Sequence, residues 1–431
     1  MPKSAALDAP PTAPRRAADS RRLTWLMGPA IVAGVAYLDP GNVASNMTAG
    51  ARYGYLLVWV VVVGNVMAWL IQYLSAKLGV VTGESLPEVL GRRIRTRWGR
   101  RAYWVQAELV AMATDIAEVI GGAVALHLLF GIPLVWGGAI TGVVSLALLL
   151  LQARRGPRIF EFVIAGLVVI IAVGFVFGVF VAPPDPAGIV GGLLPRFEGT
   201  DSVLLAASIL GATIMPHAIY AHSALSRDRF APATEGAAET LEARRGISIP
   251  RLLRATRWDV TIAMAVAGTV NLCILLLAAA ALSGAPGTDS LEGAYAALRD
   301  GIGPVVATLF AVGLLASGLA STAVGAYAGA EIMHGLLRVR IPLLIRRLVT
   351  LIPALVVLAL GVDPTLALIL SQVVLSFGIP FALVPLVALT ARRDVLGAHR
   401  NRPWTTIAGV ASSVFLIALN ALLLWLVLTG S

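Results

Sequence analysis

Apolar residues in this chain gather into blocks long enough to cross a bilayer, parted by short polar segments. A membrane-spanning helix needs about 20 largely apolar residues. Eleven stretches meet that standard: 23–49, 55–79, 103–129, 133–152, 159–182, 201–225, 258–283, 303–333, 341–360, 365–390 and 404–429. Two of them are interrupted. The first breaks at Ala36-Tyr37-Leu38-Asp39-Pro40-Gly41-Asn42, and the sixth at Gly211-Ala212-Thr213-Ile214-Met215-Pro216-His217. Proline removes a backbone donor and glycine is a poor helix former, so each break loosens backbone groups. In lipid these are tolerated only where they are buried in protein or line a wet cavity.

The two breaks lie at corresponding depths, five spans apart. Because five is odd, the second copy enters the membrane from the opposite side. That is an inverted repeat, the design in which a secondary transporter holds its substrate at the midplane between discontinuous helices. The predicted architecture is therefore an all-α polytopic membrane protein, a five-plus-five repeat with an eleventh helix and with helices 1 and 6 discontinuous. Its parts are a disordered tail (1–22), a first repeat (23–182), a second repeat (201–390) and span 11 (404–429).

Composition fits this class: 58% of the 431 residues are apolar and only 13% charged, against about 25% charged in a soluble domain. The net charge of +10 would suit a polyanion, but the positions of the charges exclude that reading. Lys and Arg fall in the tail and in 77–101, 154–158, 227–257, 338–347 and 392–402. Those alternate segments hold every basic residue except Arg52, Arg196 and Arg299. The positive-inside rule then places the N-terminus in the cytoplasm and the C-terminus outside. The expected partner of the surface is the lipid bilayer, not nucleic acid. Residues 1–22 lack the apolar core of a signal peptide. Cys273 is the one cysteine, which excludes an intrachain disulfide or thiolate cluster. The segment 227–257 reads as a cytoplasmic loop with a short amphipathic helix.

An ionisable residue inside a span is costly and marks a substrate or ion site by default. Asp39 is such a residue, and Asn42, at i+3, shares its face if a helical turn persists. The carbonyls of Ala36 and Ala212 are freed by the breaks. Met215 adds a thioether beside the imidazole of His217. Oxygen ligands alone suit Mg²⁺ or Ca²⁺, whereas a sulfur ligand favours softer divalent transition metals. Gap-filling in a helix contact is the competing role for Met215.

Span 3 carries a second constellation. Glu108, Asp115 and Glu118 are separated by seven and three residues, which puts them on one helix face. A carboxylate stripe in a span reads as a proton relay or as a row of interhelical anchors. Glu108, nearest the basic end, best suits the anchoring role. Arg346 and Arg347 at the start of span 9 are placed to pair with the row or to anchor the span at its basic end. His217 and His222 are candidate protonation sites near the second break. His127, His334 and His399 read as ordinary helix-end or loop residues. Glu161 and Asp259 read as ion-pairing residues near span ends, and Asn65, Gln72 and Asn271 as helix cross-links or gating residues.

Asp39-Pro40-Gly41-Asn42 together with Met215-Pro216-His217 resembles the Nramp family of proton-coupled divalent metal transporters. The likeness continues in Ala107-Glu108-Leu109-Val110-Ala111-Met112-Ala113-Thr114-Asp115, in Ser317-Gly318 through Ala328-Gly329, and in Leu370-Ser371-Gln372. It implies a LeuT-like fold and import of Mn²⁺ and Fe²⁺, and also Cd²⁺ or Co²⁺, driven by protons through alternating access. The metal is substrate, and no cofactor is implied. The likeness further implies that Asp39, Asn42 and Met215 are ligands, with the Ala36 and Ala212 carbonyls completing the shell and Gln372 joining in some conformations. Arg346 and Arg347 match positions on the family's proton exit route. A bacterial inner membrane and a monomeric unit go with the resemblance. Magnesium-transporting relatives lack the methionine. One departure is Gly318-Leu319, where the family usually has Gly-Gln, so no role for that glutamine carries over.

Enzyme classes are not supported: there is no H-E-x-x-H pair, G-x-S-x-G nucleophile or Walker A loop. A passive channel would show flux indifferent to a proton gradient. An amino-acid transporter on the same fold would place a substrate carboxylate against Asp39, which repels it.

Overall fold

The computed structural model describes residues 28–155, 157–230, 248–339 and 343–430. The tail 1–22 and the expected amphipathic helix between spans 6 and 7 lie outside the described residues, apart from the loop's two ends. All regular structure among the described residues is helical. Span 1 is split into Pro29–Leu38 and Pro40–Tyr53, and span 6 into Gly199–Thr213 and Pro216–Phe230. The others are Val58–Thr82, Arg97–Phe130, Leu134–Arg155, Pro157–Val181, Ile249–Ala281, Pro304–Leu337, Leu343–Ala359, Pro364–Ala391 and Pro403–Thr429. Among the described residues, eight helices are long and apolar enough to cross a membrane by length and composition. Span 1 misses that standard because it is cut in two and its second half is polar.

Burial orders the spans from inside to outside. The apolar window of span 6 is 94% buried, against 28% for span 5 and 33% for span 11. Span 6 is therefore enclosed by protein on every side, while spans 5 and 11 turn most of their surface outward to lipid. The half of span 1 that follows the break is equally enclosed, with every residue from Pro40 to Ala51 buried. Both interrupted helices thus sit in the middle of the bundle, the one place where loosened backbone is tolerated.

Pro40 and Pro216 each stand at the first position of a new helix, where the missing N–H would have had no partner in any case. Asp39 is extended, at φ −72° and ψ 163°, and its carboxylate caps the second half-helix by accepting the Asn42 N–H at 2.8 Å. The break is thus a helix restart with its own cap. Carbonyls loosened just before it are taken up by other spans. Asn271 in span 7 donates to the Tyr37 carbonyl at 2.9 Å, and Ser317 in span 8 donates to the Leu38 carbonyl.

The structure corrects several boundaries. Span 7 begins at Ile249, nine residues before the expected 258, so the end of the expected loop is helix. Span 3 begins at Arg97, where Thr96 accepts the Gly99 N–H at 3.1 Å. Short helices at Leu86–Arg93, Pro186–Gly192 and Leu291–Gly301 were not anticipated. The first of these carries a legible sign, the capping box Ser85-x-x-Glu88. Asp259 also accepts the N–H groups of Gly28 (3.1 Å) and Ala30 (2.9 Å). It caps the first half-helix from span 7.

Candidate functional site

Three spans meet at the two breaks. Asn42 Nδ2 donates to Asp39 Oδ1 at 3.1 Å and to the Ala212 carbonyl at 2.8 Å, which ties the first break to the second. Gln372 in span 10 donates from Nε2 to Asp39 Oδ2 at 3.2 Å. Just above, the Ser45 and Ser208 hydroxyls lie 2.6 Å apart. Two glycines permit this convergence: a Cβ on Gly41 would overlap the Gln372 side chain, and one on Gly211 would overlap the Gln372 backbone. Asp39, Asn42, Met215 and Gln372 are all 0% exposed, so the site is closed to both sides in this conformation.

The hydrogen bonds leave some oxygens unused. Asn42 Oδ1 and Gln372 Oε1 are buried with no hydrogen-bond partner among the described residues. Leaving a buried acceptor unpaired costs about 1–3 kcal/mol, so each calls for an explanation. The Ala36 carbonyl accepts a long bond from the Asp39 N–H, 3.3 Å. Met215 lies fully buried at the second break, three positions after Ala212. Among the described residues no three His, Cys, Asp or Glu side chains gather as a metal cluster. One carboxylate, two amide side chains and the Ala212 carbonyl converge here.

The span 3 row meets the span 9 arginines. Arg346 pairs with Glu108 at 2.9 Å and lies 3.7 Å from Asp115. Arg347 pairs with Asp115 at 3.1 Å, lies 3.8 Å from Glu118, and donates to Ser145 at 3.0 Å and Thr322 at 3.4 Å. The Arg347 side chain is wholly enclosed. Both arginines leave the span end that basic residues usually decorate and turn inward. Span 8 makes room for them: a Cβ on Gly329 would overlap the Arg346 guanidinium, and one on Gly325 would stand 3.0 Å from Glu118 Oε1. Gly325-x-x-x-Gly329 is legible in sequence as a close-packing face, but its use for charged side chains is not.

The two histidines part company. His217 Nδ1 lies 3.1 Å from Thr114 Oγ1, next in sequence to Asp115, and its Nε2 is buried without a partner. His222 instead faces span 2, with Nδ1 2.6 Å from Gln72 Oε1, while Gln72 Nε2 donates to the Tyr37 hydroxyl. Gln72 and Asn271 are thus helix cross-links. His127 Nδ1 lies 3.0 Å from the Ile132 carbonyl at the end of span 3.

Two discontinuous helices crossing at a buried polar centre define a secondary transporter of the inverted-repeat type. Residues 30–426 match the family described as "Natural resistance-associated macrophage protein-like", and the chain belongs to that family, Nramp. It is 58% identical over 412 residues to the "Divalent metal cation transporter MntH" of Mycobacterium tuberculosis, covering 95% of this chain and 94% of that one. It is 48% identical over 415 residues to the protein of the same name from Deinococcus radiodurans, covering 95% and 92%. Among solved structures, the Eremococcus coleocola manganese transporter superposes with a TM-score of 0.80 at 34% identity, over 92% of this chain and 85% of that one. Mhp1, a nucleobase-cation-symport-1 family transporter, superposes with a TM-score of 0.55 at 13% identity, over 94% and 93%. That likeness concerns the fold alone, which is LeuT-like. The chain is a multi-pass membrane transporter and not an enzyme.

Proposed function

We propose that this chain imports divalent transition metals, Mn²⁺ and Fe²⁺ and also Cd²⁺ or Co²⁺, coupled to protons by alternating access. One observation carries the reading: the unpaired, buried oxygens of Asn42 and Gln372 flank the single carboxylate of Asp39 at the junction of the two broken helices. A divalent cation supplies the partner that these atoms lack. The names of the relatives, metal cation and manganese transporters, support the same choice. Asp39, Asn42 and Met215 are the proposed ligands, with the Ala36 and Ala212 carbonyls and, in some conformations, Gln372. One carboxylate leaves the loaded site cationic, which favours release.

The proton route in this reading runs from Asp39 through Glu118 and Asp115 towards Arg347, Arg346 and Glu108, with His217 beside it and His222 on the span 2 side. The enclosed site supports alternation over a channel, because a channel needs a continuous wet path. The protein works as a monomer in the bacterial inner membrane, with its N-terminus in the cytoplasm and its C-terminus outside. The test is radiometal uptake by proteoliposomes with and without an imposed pH gradient. Uptake indifferent to the gradient removes the coupling and favours a passive path.

Two variants separate the roles. Asp115→Asn and Glu118→Gln should cut metal-evoked acidification of the lumen about tenfold, the effect of about 1.4 kcal/mol on a relay barrier. Metal binding should change far less, since neither residue lies in a broken helix. If acidification persists in both single variants and in the double variant, these side chains are anchors and not a relay. Met215→Ala addresses selectivity. Removing the thioether leaves the oxygens able to hold hard and soft ions alike, so Cd²⁺ uptake should fall and Ca²⁺ or Mg²⁺ should compete. A loss of about 1.4 kcal/mol in relative affinity shifts the preference tenfold. Equal resistance of wild type and variant to excess Ca²⁺ returns Met215 to a packing role.

A further inference from the structure

Where spans 10 and 11 join, the chain forms a cavity that the metal site does not use. Its volume is about 590 Å³, and its walls include Arg400, Asn401, Arg402, Pro403, Thr406 and Ile407. Arg400 and Arg402 are exposed, and among the described residues neither has an ion-pair partner. The nearest acid in sequence is committed elsewhere. Asp394 accepts from Arg392 at 2.8 Å and from Arg93 at 3.1 Å, and those bonds hold its carboxyl down at about 2.

Behind the cavity wall sits a further cation. Lys77, near the end of span 2, is only 6% exposed and donates to Asn401 Oδ1 at 2.9 Å. Asn401 is held in the orientation that presents this oxygen, because its Nδ2 donates to Thr390 Oγ1 at 2.8 Å and its N–H to the Thr390 carbonyl at 2.9 Å. Among the described residues no carboxylate lies within ion-pair reach of Lys77. This buried amine is bonded only to a neutral amide among the described residues, and it faces the cavity through that single side chain. Burying a charge without a counter-charge is costly, so an anion in the cavity would offset it.

Two more features lie at the same place. Span 11, 27 residues long, starts at Pro403 with no side chain capping it, so its first N–H groups and the positive end of its dipole are open to an anion. Trp404 (80% exposed) and Ile407 (56%) form the adjoining outer surface. Span 11 is among the most lipid-facing helices of the bundle, and tryptophan at a span start marks the level of the headgroups. A phosphate seated between the arginines therefore has its acyl chains alongside Ile407.

We infer that this cavity is a binding site for an anionic phospholipid, its phosphodiester held by Arg400, Arg402 and the start of span 11, with Lys77 as the buried counter-charge. Basic pockets between spans at a leaflet surface are suited to such headgroups. The inference needs only that this basic end of the bundle meets a leaflet surface, and it stands apart from the identity of the transported ion.

The test is native mass spectrometry of the full chain in detergent, titrated with phosphatidylglycerol, cardiolipin or zwitterionic phosphatidylcholine. Wild type should retain anionic lipid in preference to phosphatidylcholine. Arg400→Gln with Arg402→Gln should weaken that retention about thirty-fold, at about 1 kcal/mol per basic residue near the surface. Arg393→Gln, exposed but outside the cavity, should leave it unchanged. Ile407→Glu keeps both arginines and should still repel the lipid, which guards against a folding defect in the double variant. Equal retention by the double variant and wild type overturns the site. Inorganic phosphate displacing the lipid at equal concentration overturns the lipid assignment, since the cavity would then hold a free anion.

Discussion

Replacing Asp39 by alanine should bring Mn²⁺ uptake in proteoliposomes down to background and abolish metal binding. The substitution removes the carboxylate at the junction and the three hydrogen bonds it accepts, from Asn42 N, Asn42 Nδ2 and Gln372 Nε2. Removing one member of a buried ionic set costs about 3–5 kcal/mol, which is roughly a hundred-fold or more in affinity. The cap of the second half-helix goes as well, at about 1 kcal/mol. Asp39→Asn distinguishes the two losses, because the amide oxygen still caps the helix while the charge is gone. It should fold like wild type and transport as poorly as the alanine variant. Uptake at wild-type rates from equal amounts of reconstituted Asp39→Asn protein would remove Asp39 from the ligand set.

Arg347→Met should destabilise the protein more than any other single change outside the metal site. The guanidinium lies between Asp115 and Glu118, both essentially unexposed, with Ser145 and Thr322 completing its hydrogen bonds. Its removal strands two carboxylates in a low-dielectric interior, at a cost of about 3–5 kcal/mol. Thermal aggregation in detergent should begin at a clearly lower temperature. Adding Asp115→Asn and Glu118→Gln removes the stranded charges and should restore most of the lost stability, as expected for groups that act as one set. The triple variant should bind metal yet move few protons. If Arg347→Met alone melts with wild type, the arginine is a peripheral anchor, and the row it faces is neutralised by some other means.

Much of the site was legible because its residue types are rare where they occur. A carboxylate followed by proline and glycine inside an apolar run has few structural explanations, and a second proline break five spans later fixed the symmetry. The carboxylate row was legible from helical spacing alone, and the pairing with Arg346 and Arg347 was one of two readings of basic residues at a span end. Other features were not available to one-dimensional reasoning. Gln372 stands in span 10 with no local irregularity to mark it, so the family resemblance alone pointed to it, and the packing of Gly41 and Gly211 against it brings it to Asp39. Asp259 carries no sequence sign that it caps the first half-helix across 231 and 229 positions to Gly28 and Ala30. His217 and His222 share a half-helix, yet one faces span 3 and the other span 2. Ser317 and Asn271 close the carbonyls before the break from two other helices.

The class of protein, eleven apolar runs, the two breaks and the residue types offered at each break were all readable along the chain. These follow from solvent: lipid demands apolar length and satisfied backbone, so every departure from that rule is visible in one dimension. Which side chains face one another is a different matter, since it depends on helix rotation and on contacts between residues hundreds of positions apart. Packing in three dimensions brings Asn42 to the Ala212 carbonyl, turns Arg347 into the bundle, and leaves two amide oxygens beside Asp39 without a partner among the described residues. An unpaired atom is defined by everything around it, and no stretch of chain carries that information alone.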